Sequence, residues 1–312
     1  MKRLTCKIAY CCLISLCAGL FLLCSHASAA DKTIGVIMTG NSPYYREIHK
    51  AFTKALSSEG IKNAEIIVQT PMPEPLSWAN SARKLAAIGS DIIISYGAPA
   101  TISVSKEVSG IPIVFAGVYD PAAVRISGNN ITGISSKVPV ISLLKNLKKI
   151  SDFSTLGVVY TETEKDTLVQ LNEVKQAEKS LGFTSVKFNV RKKEDTSKIE
   201  KVNALFLTTS CVSAVHCTNN IIGIARQAKI PTASTIGGGE NNGVILTITA
   251  NPQEQGSEAA KIAARIIKGA KPSSIAVVQP KKVDLIINIK EATNLGLKIP
   301  FDLLTSATKV IK

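Results

Sequence analysis

Short, unbroken apolar runs alternate with amphipathic stretches through the first half of the chain. Such runs, too short for helices and lacking polar alternation, are typical of strands buried on both faces of a parallel sheet. The runs are TIGVIM, AEIIVQT, DIIISYG and IPIVFAGV. Helical patterns lie between them, including YREIHKAFTKALSSEG, which ends at Gly60, and SWANSARKLAAIGS, with Ser77 as the predicted cap. This order predicts an α/β fold whose parallel sheet is covered by helices on both faces.

A second α/β pattern follows the stretch DPAAVRISGNNITGISSKVP, which is rich in Gly, Asn and Ser and is predicted to be a connection. The helical pattern VISLLKNLKKI leads into new apolar runs such as STLGVVYT and VNALFLTT. The tail adds the strand patterns NGVILTITA, IAVVQP and VDLIINI, the long helical pattern PQEQGSEAAKIAARIIKGA and a final short helix, KEATNLGL. Elements appended after two complete halves can return to the first half. The pattern therefore predicts two lobes linked by several crossings, an arrangement that permits a hinge.

The predicted domain boundaries follow from these patterns. Residues 1–29 are a signal peptide. Residues 30–150 form an N-terminal α/β lobe, which a returning segment at about 250–272 joins. Residues 151–249 form a C-terminal α/β lobe, which the tail at about 273–312 joins.

The first 29 residues have the pattern of a secretory signal peptide. A basic start, MKR and Lys7, precedes the apolar run IAYCCLISLCAGLFLLC, and Ala27 and Ala29 mark a small-residue cleavage site. No later segment is apolar enough to span a membrane. A lipoprotein modified at Cys24 is the alternative, although the bulky Leu23 before it is unusual for such a site. The signal peptide predicts a soluble protein of the periplasm.

Removal of the signal peptide takes away three positive charges and lowers the net charge from +14 to +11. The lysines are scattered, and the densest run, RKKEDTSKIEK, is mixed in sign, which indicates a solvated surface and not a nucleic-acid site. Two cysteines remain, Cys211 and Cys217. They can form one bridge in an oxidising compartment or stay as two small buried side chains. Their spacing, with His216 beside them, is a poor zinc signature.

Every tyrosine after the signal peptide lies at or just after the carboxyl end of a predicted strand. They are Tyr44, Tyr45, Tyr96, Tyr119 and Tyr160. Ligands of open parallel α/β sheets bind outside the carboxyl ends of the strands, so some of these rings are predicted to face a ligand. Covering the sheet ends is the alternative role. Of the first pair, Tyr44 is predicted to face the cleft, because Tyr45 is closer to the register of the apolar helix face at Ile48 and Phe52.

Polar backbone or side-chain groups are predicted at the same edge of the sheets. They belong to Ala98, Pro99, Ala100 and Thr101 in the turn YGAPAT, to Thr209 and Ser210 in LTTSC, and to Asp120 in VYDP. The first turn opens a predicted helix, whose free N–H groups and dipole suit a carboxylate or phosphate, with an ordinary βα turn as the alternative. The second pair can cap a helix or bind a ligand. Asp120 can pair with a ligand amino group or cap a turn.

The chain lacks the common sequence signatures of catalysis. G-x-S-x-G, G-x-x-x-x-G-K-[ST] and G-x-G-x-x-G do not occur. His49 and His216 come with no nucleophile or set of metal ligands, so surface or core roles are predicted for both. No catalytic residue, metal site or cofactor is predicted, and the chain is not expected to be an enzyme.

Blocks distributed along the whole chain after the signal peptide support a family resemblance. In order, they are IGVIMTG, DIIISYGAPAT, IPIVFAGVYDPAAV, NITGISSKVPV, LGVVYT, AKIPTAST, GSEAAKIAARIIKGAKPSSIAV and INIKEATNLGLKIP. By these blocks the chain resembles the tryptophan/tyrosine-type substrate-binding proteins of ABC transporters, which have the type I periplasmic-binding-protein fold. The resemblance implies two Rossmann-like lobes with parallel sheets, joined by a multi-strand hinge. It also implies a small ligand clamped between the lobes, delivery to a membrane permease, and no catalysis.

The resemblance also implies which residues line the cleft. One lobe would contribute Tyr44, Tyr45, residues 98–101, Tyr119 and Asp120, and the other Tyr160, Thr161, Thr209, Ser210 and the loop after Ser234. The chain departs from the family at Thr235, where an aspartate is common. An acid for a ligand amino group would then come from Asp120 or Glu240, or be absent. Asn251 and Pro252 replace an aromatic position, which makes one side of the predicted pocket more polar.

These observations predict the periplasmic substrate-binding component of an ABC importer, which clamps an amino-acid-like or aromatic solute. The expected partners are that solute and a permease in the inner membrane, and the expected state is a monomer that binds no nucleic acid. A receptor that passes ligand occupancy to a membrane kinase is an alternative. A secreted enzyme is less favoured, because only Asp120 and Glu240 would supply an acid–base pair.

Overall fold

The computed structural model describes residues 32–210, 217–237 and 243–312. The predicted signal peptide with Cys24 lies outside the described residues, as do Cys211, His216 and Glu240. No helix in the described part of the chain has the length and apolar character needed to cross a membrane.

The first lobe is built on a parallel sheet. Its strands are β1 Lys32–Met38, β2 Ala64–Gln69, β3 Ile92–Tyr96, β4 Ile113–Val118 and β5 Ile131–Ser135, and its connecting helices are α1 Pro43–Ser58, α2 Pro75–Ala87 and α3 Ala98–Glu107. The strand order is β2-β1-β3-β4-β5, and all neighbouring strands are parallel. The central strands β3 and β4 are buried along their whole length, since apolar clusters cover both faces. The apolar runs therefore form strands where the pattern predicts them.

Two local predictions for this lobe are wrong. The stretch predicted as a connection contains β5, whose apolar pattern is interrupted by Gly133. A Cβ at Gly133 would overlap the carbonyl oxygen of Phe115, so glycine is what lets β5 lie against β4. Ser77 is not the cap of α2, because the helix begins at Pro75. From inside the first turn, the Ser77 hydroxyl donates a hydrogen bond of 2.8 Å to the Glu74 carboxylate.

The second lobe is built on a mixed sheet. Its strands are β6 Thr155–Tyr160, β7 Thr184–Asn189, β8 Ala204–Leu207, β9 Thr232–Ser234, β10 Leu246–Ala250, β11 Val283–Asn288 and β12 Lys309–Ile311. Its helices are α4 Val140–Ile150, α5 Lys165–Leu181, α6 Thr218–Ala228, α8 Ile289–Asn294 and α9 Phe301–Ser306. The strand order is β12-β11-β10-β9-β8-β6-β7, and only the β10–β11 pair is antiparallel. The sequence pattern missed α9 and β12, which are too short to show a period.

Helix α4 packs on the second sheet. Its apolar face, which includes Leu143, Leu144 and Leu147, shares a buried cluster with Leu156 of β6 and Phe206 of β8. The predicted boundary at residue 150 placed this helix with the first lobe, and the packing differs from that prediction. The apolar stripe of a helix fits either sheet, so the sequence pattern alone does not say which one it covers.

The long helix α7, Pro252–Ile267, returns to the first lobe. Its alanines Ala259, Ala260 and Ala263 join the buried cluster that contains Ile48 and Phe52 of α1. The two helices approach so closely that a Cβ at Gly256 would overlap the Ile48 carbonyl oxygen. A helix far along the chain thus covers one face of the first sheet.

Three chain segments connect the lobes, around residues 136–139, 251 and 279–282. The run IAVVQP, predicted as a strand, contributes only one bridge, between Val278 and Ile134. The second and third segments are tied together, because the Asn251 N–H donates to the Lys282 carbonyl oxygen and the Glu254 carboxylate accepts from the Lys282 N–H. The predicted α/β fold of two lobes with a multi-strand hinge, the type I periplasmic-binding-protein fold, is confirmed.

Candidate ligand-binding cleft

Tyr44 connects the two lobes. It lies in the first turn of α1, which begins at Pro43 and is capped by the Ser42 hydroxyl accepting from the Tyr45 N–H. The Tyr44 hydroxyl donates a hydrogen bond of 3.0 Å to the carbonyl oxygen of Ala250 at the end of β10. Burial raises the pKa of this hydroxyl well above its usual value. The structure therefore places Tyr44 at the interface between the lobes.

Tyr45 lies inside the first lobe. Its ring covers Gly97 and Gly117, and a Cβ at Gly97 would collide with the Tyr45 hydroxyl. Gly97 also has a φ of 88°, a backbone conformation that favours glycine. The two adjacent tyrosines thus have different surroundings, Tyr44 between the lobes and Tyr45 against its own sheet.

Two other tyrosines predicted at the cleft are buried in the protein. Tyr96 is fully buried in the first lobe, and its hydroxyl lies 3.3 Å from His49 Nδ1. The Tyr119 ring is also fully buried, and its hydroxyl lies 3.0 Å from the Val138 carbonyl oxygen and 2.5 Å from Glu173 Oε2. Burial raises the pKa of both hydroxyls. Tyr96 thus lies within its own lobe, whereas the Tyr119 hydroxyl reaches Glu173 of α5 in the second lobe.

The turn at residues 98–101 is also buried, including Ala98, Pro99, Ala100 and Thr101. The Ala100 N–H donates to the Thr39 hydroxyl at 3.2 Å. The Thr101 hydroxyl donates to the Gly97 carbonyl oxygen at 2.8 Å. The Ala100 N–H and the Thr101 hydroxyl, which were predicted to bind an anion, are thus bonded within the protein. Thr39, the partner of the Ala100 N–H, was not identified from the sequence.

Asp120 ends β4 but turns toward the surface. Its carboxylate accepts from the Ala123 N–H at 3.0 Å and pairs with Lys137 at 2.6 Å. Burial acts to raise the pKa of this carboxyl, and the bonds from Lys137 and Ala123 outweigh it and hold the pKa below its usual value. Asp120 therefore caps a turn, as one of its two predicted roles requires, and its charge is already balanced.

In the second lobe, the strand ends carry buried hydroxyls. Thr161 Oγ1 lies 2.6 Å from Ser210 Oγ and donates to the Val190 carbonyl oxygen at 2.7 Å. The Ser210 hydroxyl donates in turn to Glu164 at 3.1 Å. Tyr160 is half-buried and packs on the core beneath. The predicted residues Thr161 and Ser210 are thus brought together, around a carboxylate that the sequence analysis missed.

Gln170 organises the next group on α5. Its Oε1 accepts from the Thr209 N–H at 2.8 Å, and its Nε2 donates to the Thr235 hydroxyl at 2.9 Å. Gln170 is fully buried. The structure therefore gathers Thr209 and Thr235, from the ends of β8 and β9, around an amide that the sequence analysis did not identify.

Asp166, in the first turn of α5, lies against the first lobe. Its Oδ2 accepts from the Tyr119 N–H at 2.8 Å. Burial, helped by the nearby charges of Glu164 and Asp120, raises the pKa of this carboxyl to about 7. An acid in the first turn of a helix ordinarily indicates an interaction with the helix dipole, so this contact could not be predicted from the sequence pattern.

Two polar atoms at this interface have no hydrogen-bond partner in the described part of the chain. They are Asp166 Oδ1 and Thr209 Oγ1. Apolar side chains also cross the interface, since Val169 of α5 packs on one first-lobe cluster and Ile236 packs on another. The lobes are therefore in contact at their strand ends, and two buried acceptors lie there without a donor. Among the described residues there is no cluster of His, Cys, Asp and Glu that could hold a metal ion.

Comparisons with known proteins identify the family. The family model described as ABC transporter substrate binding protein matches residues 33–311. A search of curated protein sequences finds no match. Among solved structures, a conserved domain protein from Vibrio cholerae has a TM-score of 0.85 and 24% identity, with coverage of 89% of this chain and 99% of that one.

Two further structures carry more descriptive names. An ABC domain from Streptococcus pneumoniae in complex with L-Trp has a TM-score of 0.85 and 23% identity, over 90% of this chain and 99% of that one. A substrate-binding protein with adhesive properties from Clostridium difficile, ligand-free and open, has a TM-score of 0.66 and 24% identity over the same shares. With nearly all of its described residues matched by the family model, the chain belongs to the ABC transporter substrate-binding protein family.

Proposed function

We propose that this protein is the substrate-binding component of an ABC importer, which holds a small amino-acid-like or aromatic solute between its lobes and delivers it to a membrane permease. One observation carries the proposal: both lobes bring buried polar groups to a shared interface, and two acceptors there, Asp166 Oδ1 and Thr209 Oγ1, lack a donor. Buried polar atoms are almost always paired, so such an interface is suited to receiving a polar solute. The proposed setting is the periplasm, reached through the predicted signal peptide.

The arrangement of the lobes supports solute binding by closure. At similar identity and coverage, the chain matches the L-Trp complex with a TM-score of 0.85 and the open, ligand-free protein with 0.66. Bonds between the lobes, such as Tyr44 to Ala250 and Tyr119 to Asp166, hold this closed arrangement. Closure around a solute is the usual working motion of two-lobed binding proteins. The similarity makes L-tryptophan the first solute to test.

A thermal-shift screen tests the proposed function. We expect at least one compound among L-tryptophan, L-tyrosine, L-phenylalanine, purines and aromatic acids to raise the melting temperature. A solute at one hundred times its Kd adds about 2.7 kcal/mol to the free energy of unfolding. If none of these compounds shifts the melting temperature at millimolar concentration, an amino-acid-like or aromatic solute is excluded.

The matched substitutions Tyr44→Phe and Tyr96→Phe separate closure from stability. Each removes one buried hydroxyl, at a cost to stability of about 1 kcal/mol. Of these two hydroxyls, that of Tyr44 joins the two lobes, whereas that of Tyr96 contacts His49 within one lobe. We therefore expect Tyr44→Phe to raise the Kd for the solute found in the screen about fivefold, and Tyr96→Phe to leave it unchanged. Isothermal titration calorimetry measures both, and equal Kd values for the two variants would contradict a closure role for Tyr44.

A further inference from the structure

The carboxylate of Asp166 is buried between the lobes without a counter-charge. The side chain is 5% exposed and pairs with no lysine or arginine in the described residues. The ionisable groups nearest to it, Glu164 and Asp120, carry the same sign of charge, and Lys137 is engaged by Asp120 and Glu173. An isolated carboxylate in a buried position is unfavourable unless a cation or hydrogen bonds compensate it. Within the described part of the chain, Asp166 is therefore a buried acidic group that has hydrogen bonds to one oxygen but no counter-charge.

The two oxygens of Asp166 have different surroundings. Oδ2 accepts from the Tyr119 N–H of the first lobe at 2.8 Å. Oδ1 is equally buried and accepts from no donor in the described part of the chain. One oxygen thus holds the lobes together, and the other is left for a further donor.

A second acceptor without a donor lies in the same neighbourhood. Gln170 follows Asp166 by one helical turn, so both lie on one face of α5. The Gln170 amide oxygen accepts from the Thr209 N–H at 2.8 Å, which brings Thr209 to that face. Like Asp166 Oδ1, Thr209 Oγ1 is buried and unpaired. A group that donates several hydrogen bonds and carries positive charge, such as an ammonium group, would satisfy both oxygens and balance the carboxylate.

We infer that Asp166 Oδ1 binds the ammonium group of the solute, with Thr209 Oγ1 as a second acceptor. This inference rests on the proposed function, since it requires a solute between the lobes. The same carboxylate then joins the solute and the first lobe, so the bound ammonium supplies the counter-charge that the closed arrangement lacks. The solute class becomes one with a free primary amine, as in an unmodified amino acid. Aromatic acids without an amine are not preferred ligands.

Matched pairs of compounds test the inference. The probes are L-tryptophan and L-tyrosine, each beside its desamino analogue, in which hydrogen replaces the ammonium group. Isothermal titration calorimetry measures each Kd for the wild type, Asp166→Asn and the control Asp152→Asn. The control removes one carboxylate that is 94% exposed. We expect the wild type to bind at least one amino acid at least tenfold more tightly than its analogue. We expect Asp166→Asn to bind that amino acid at least tenfold more weakly and to show no preference for it, and Asp152→Asn to behave as the wild type.

Different failures have different meanings. If the wild type binds an amino acid and its analogue equally well, or if Asp166→Asn keeps the preference, the assignment of Asp166 is overturned and the proposed function stands. If the wild type binds none of the four probes, the amino-acid solute and the assignment are both overturned. If Asp166→Asn fails to fold, the variant Thr209→Val tests the inference instead. This substitution removes the second acceptor and leaves the charge of Asp166 in place. We expect it to weaken amino-acid binding at least threefold and analogue binding not at all, and equal weakening of both would overturn the inference.

Discussion

Replacement of Gly256 by alanine should lower the free energy of unfolding by about 3 kcal/mol, at the upper end of the cost of overpacking. Gly256 lies where α7 crosses α1, and an added Cβ would overlap the Ile48 carbonyl oxygen and come within 2.6 Å of the Ala51 Cβ. Neither atom is the end of a flexible side chain, so the two helices must separate to admit the methyl group. Urea denaturation followed by circular dichroism measures the loss.

Gly223→Ala is the matched control for this substitution. Gly223 is also a helix residue, in the exposed part of α6, and nothing lies within 4 Å of a Cβ built there. Alanine should therefore stabilise the protein by about 0.8 kcal/mol, the ordinary difference between the two residues in a helix. A similar gain for Gly256→Ala would show that α1 and α7 are not in close contact.

The Asp166 carboxyl should make the folded protein less stable as the pH rises. Burial foremost raises its pKa from 3.8 to about 7, so between these values the folded protein keeps a proton that the unfolded chain releases. The contribution of this group to stability is fully present below the lower value and is lost as the pH rises through the upper one. Asparagine does not titrate and still accepts the Tyr119 N–H bond. Asp166→Asn should thus match the wild type near pH 4 and exceed it by a few kcal/mol above pH 7, at about 1.4 kcal/mol per pKa unit.

The comparison must isolate Asp166 from its charged neighbours. Glu164 just before α5 and Asp120 after β4 raise its pKa, while the N–H groups of Tyr119 and Asp120 lower it. Lys137 offsets the charge of Asp120. These groups remain in both proteins, so the difference between the two denaturation free energies, measured across the pH range, reports Asp166 alone. A difference that does not change with pH would mean that this carboxyl ionises normally.

The same substitution should then strengthen the fold and weaken binding. A carboxylate kept without a counter-charge destabilises the protein in the absence of solute, and a bound ammonium group relieves that cost. Residues of this kind are retained for function at the expense of stability. Among variants at position 166, we expect the free energy of unfolding to rise as the affinity for the amino acid falls.

The sequence predicted the elements that have their own period. The apolar runs of β1, β3 and β4 and the amphipathic faces of α1 and α7 were recognised, because their patterns are local. Strand β5 was missed because Gly133 breaks its apolar run. Helix α4 packs on the second sheet, whereas the predicted boundary at residue 150 included it in the first lobe, because the apolar face of a helix fits either sheet. Propensity and period describe an element, and only tertiary contact decides where it packs.

In the candidate site, too, local patterns predicted some features and tertiary contacts decided the others. The expectation that Tyr44 and Tyr45 differ rested on helix register, and the structure places Tyr44 between the lobes and Tyr45 inside one. The acid for an ammonium group was expected from Asp120 or Glu240. Asp120 is paired with Lys137, and the uncompensated acid is Asp166, whose contact with Tyr119 spans 47 residues of sequence. No local pattern encodes a contact of that separation.

The return of α7 to the first lobe has a consequence for how the chain folds. Ile48 and Phe52 are covered by residues more than two hundred positions later, and the second sheet is completed only by β11 and β12. Neither lobe is therefore a continuous segment that can finish folding while the rest of the chain is still being synthesised. Contacts of such long range slow folding. The first lobe should therefore complete its folding only after α7 has been made, and the second only after β11 has been made.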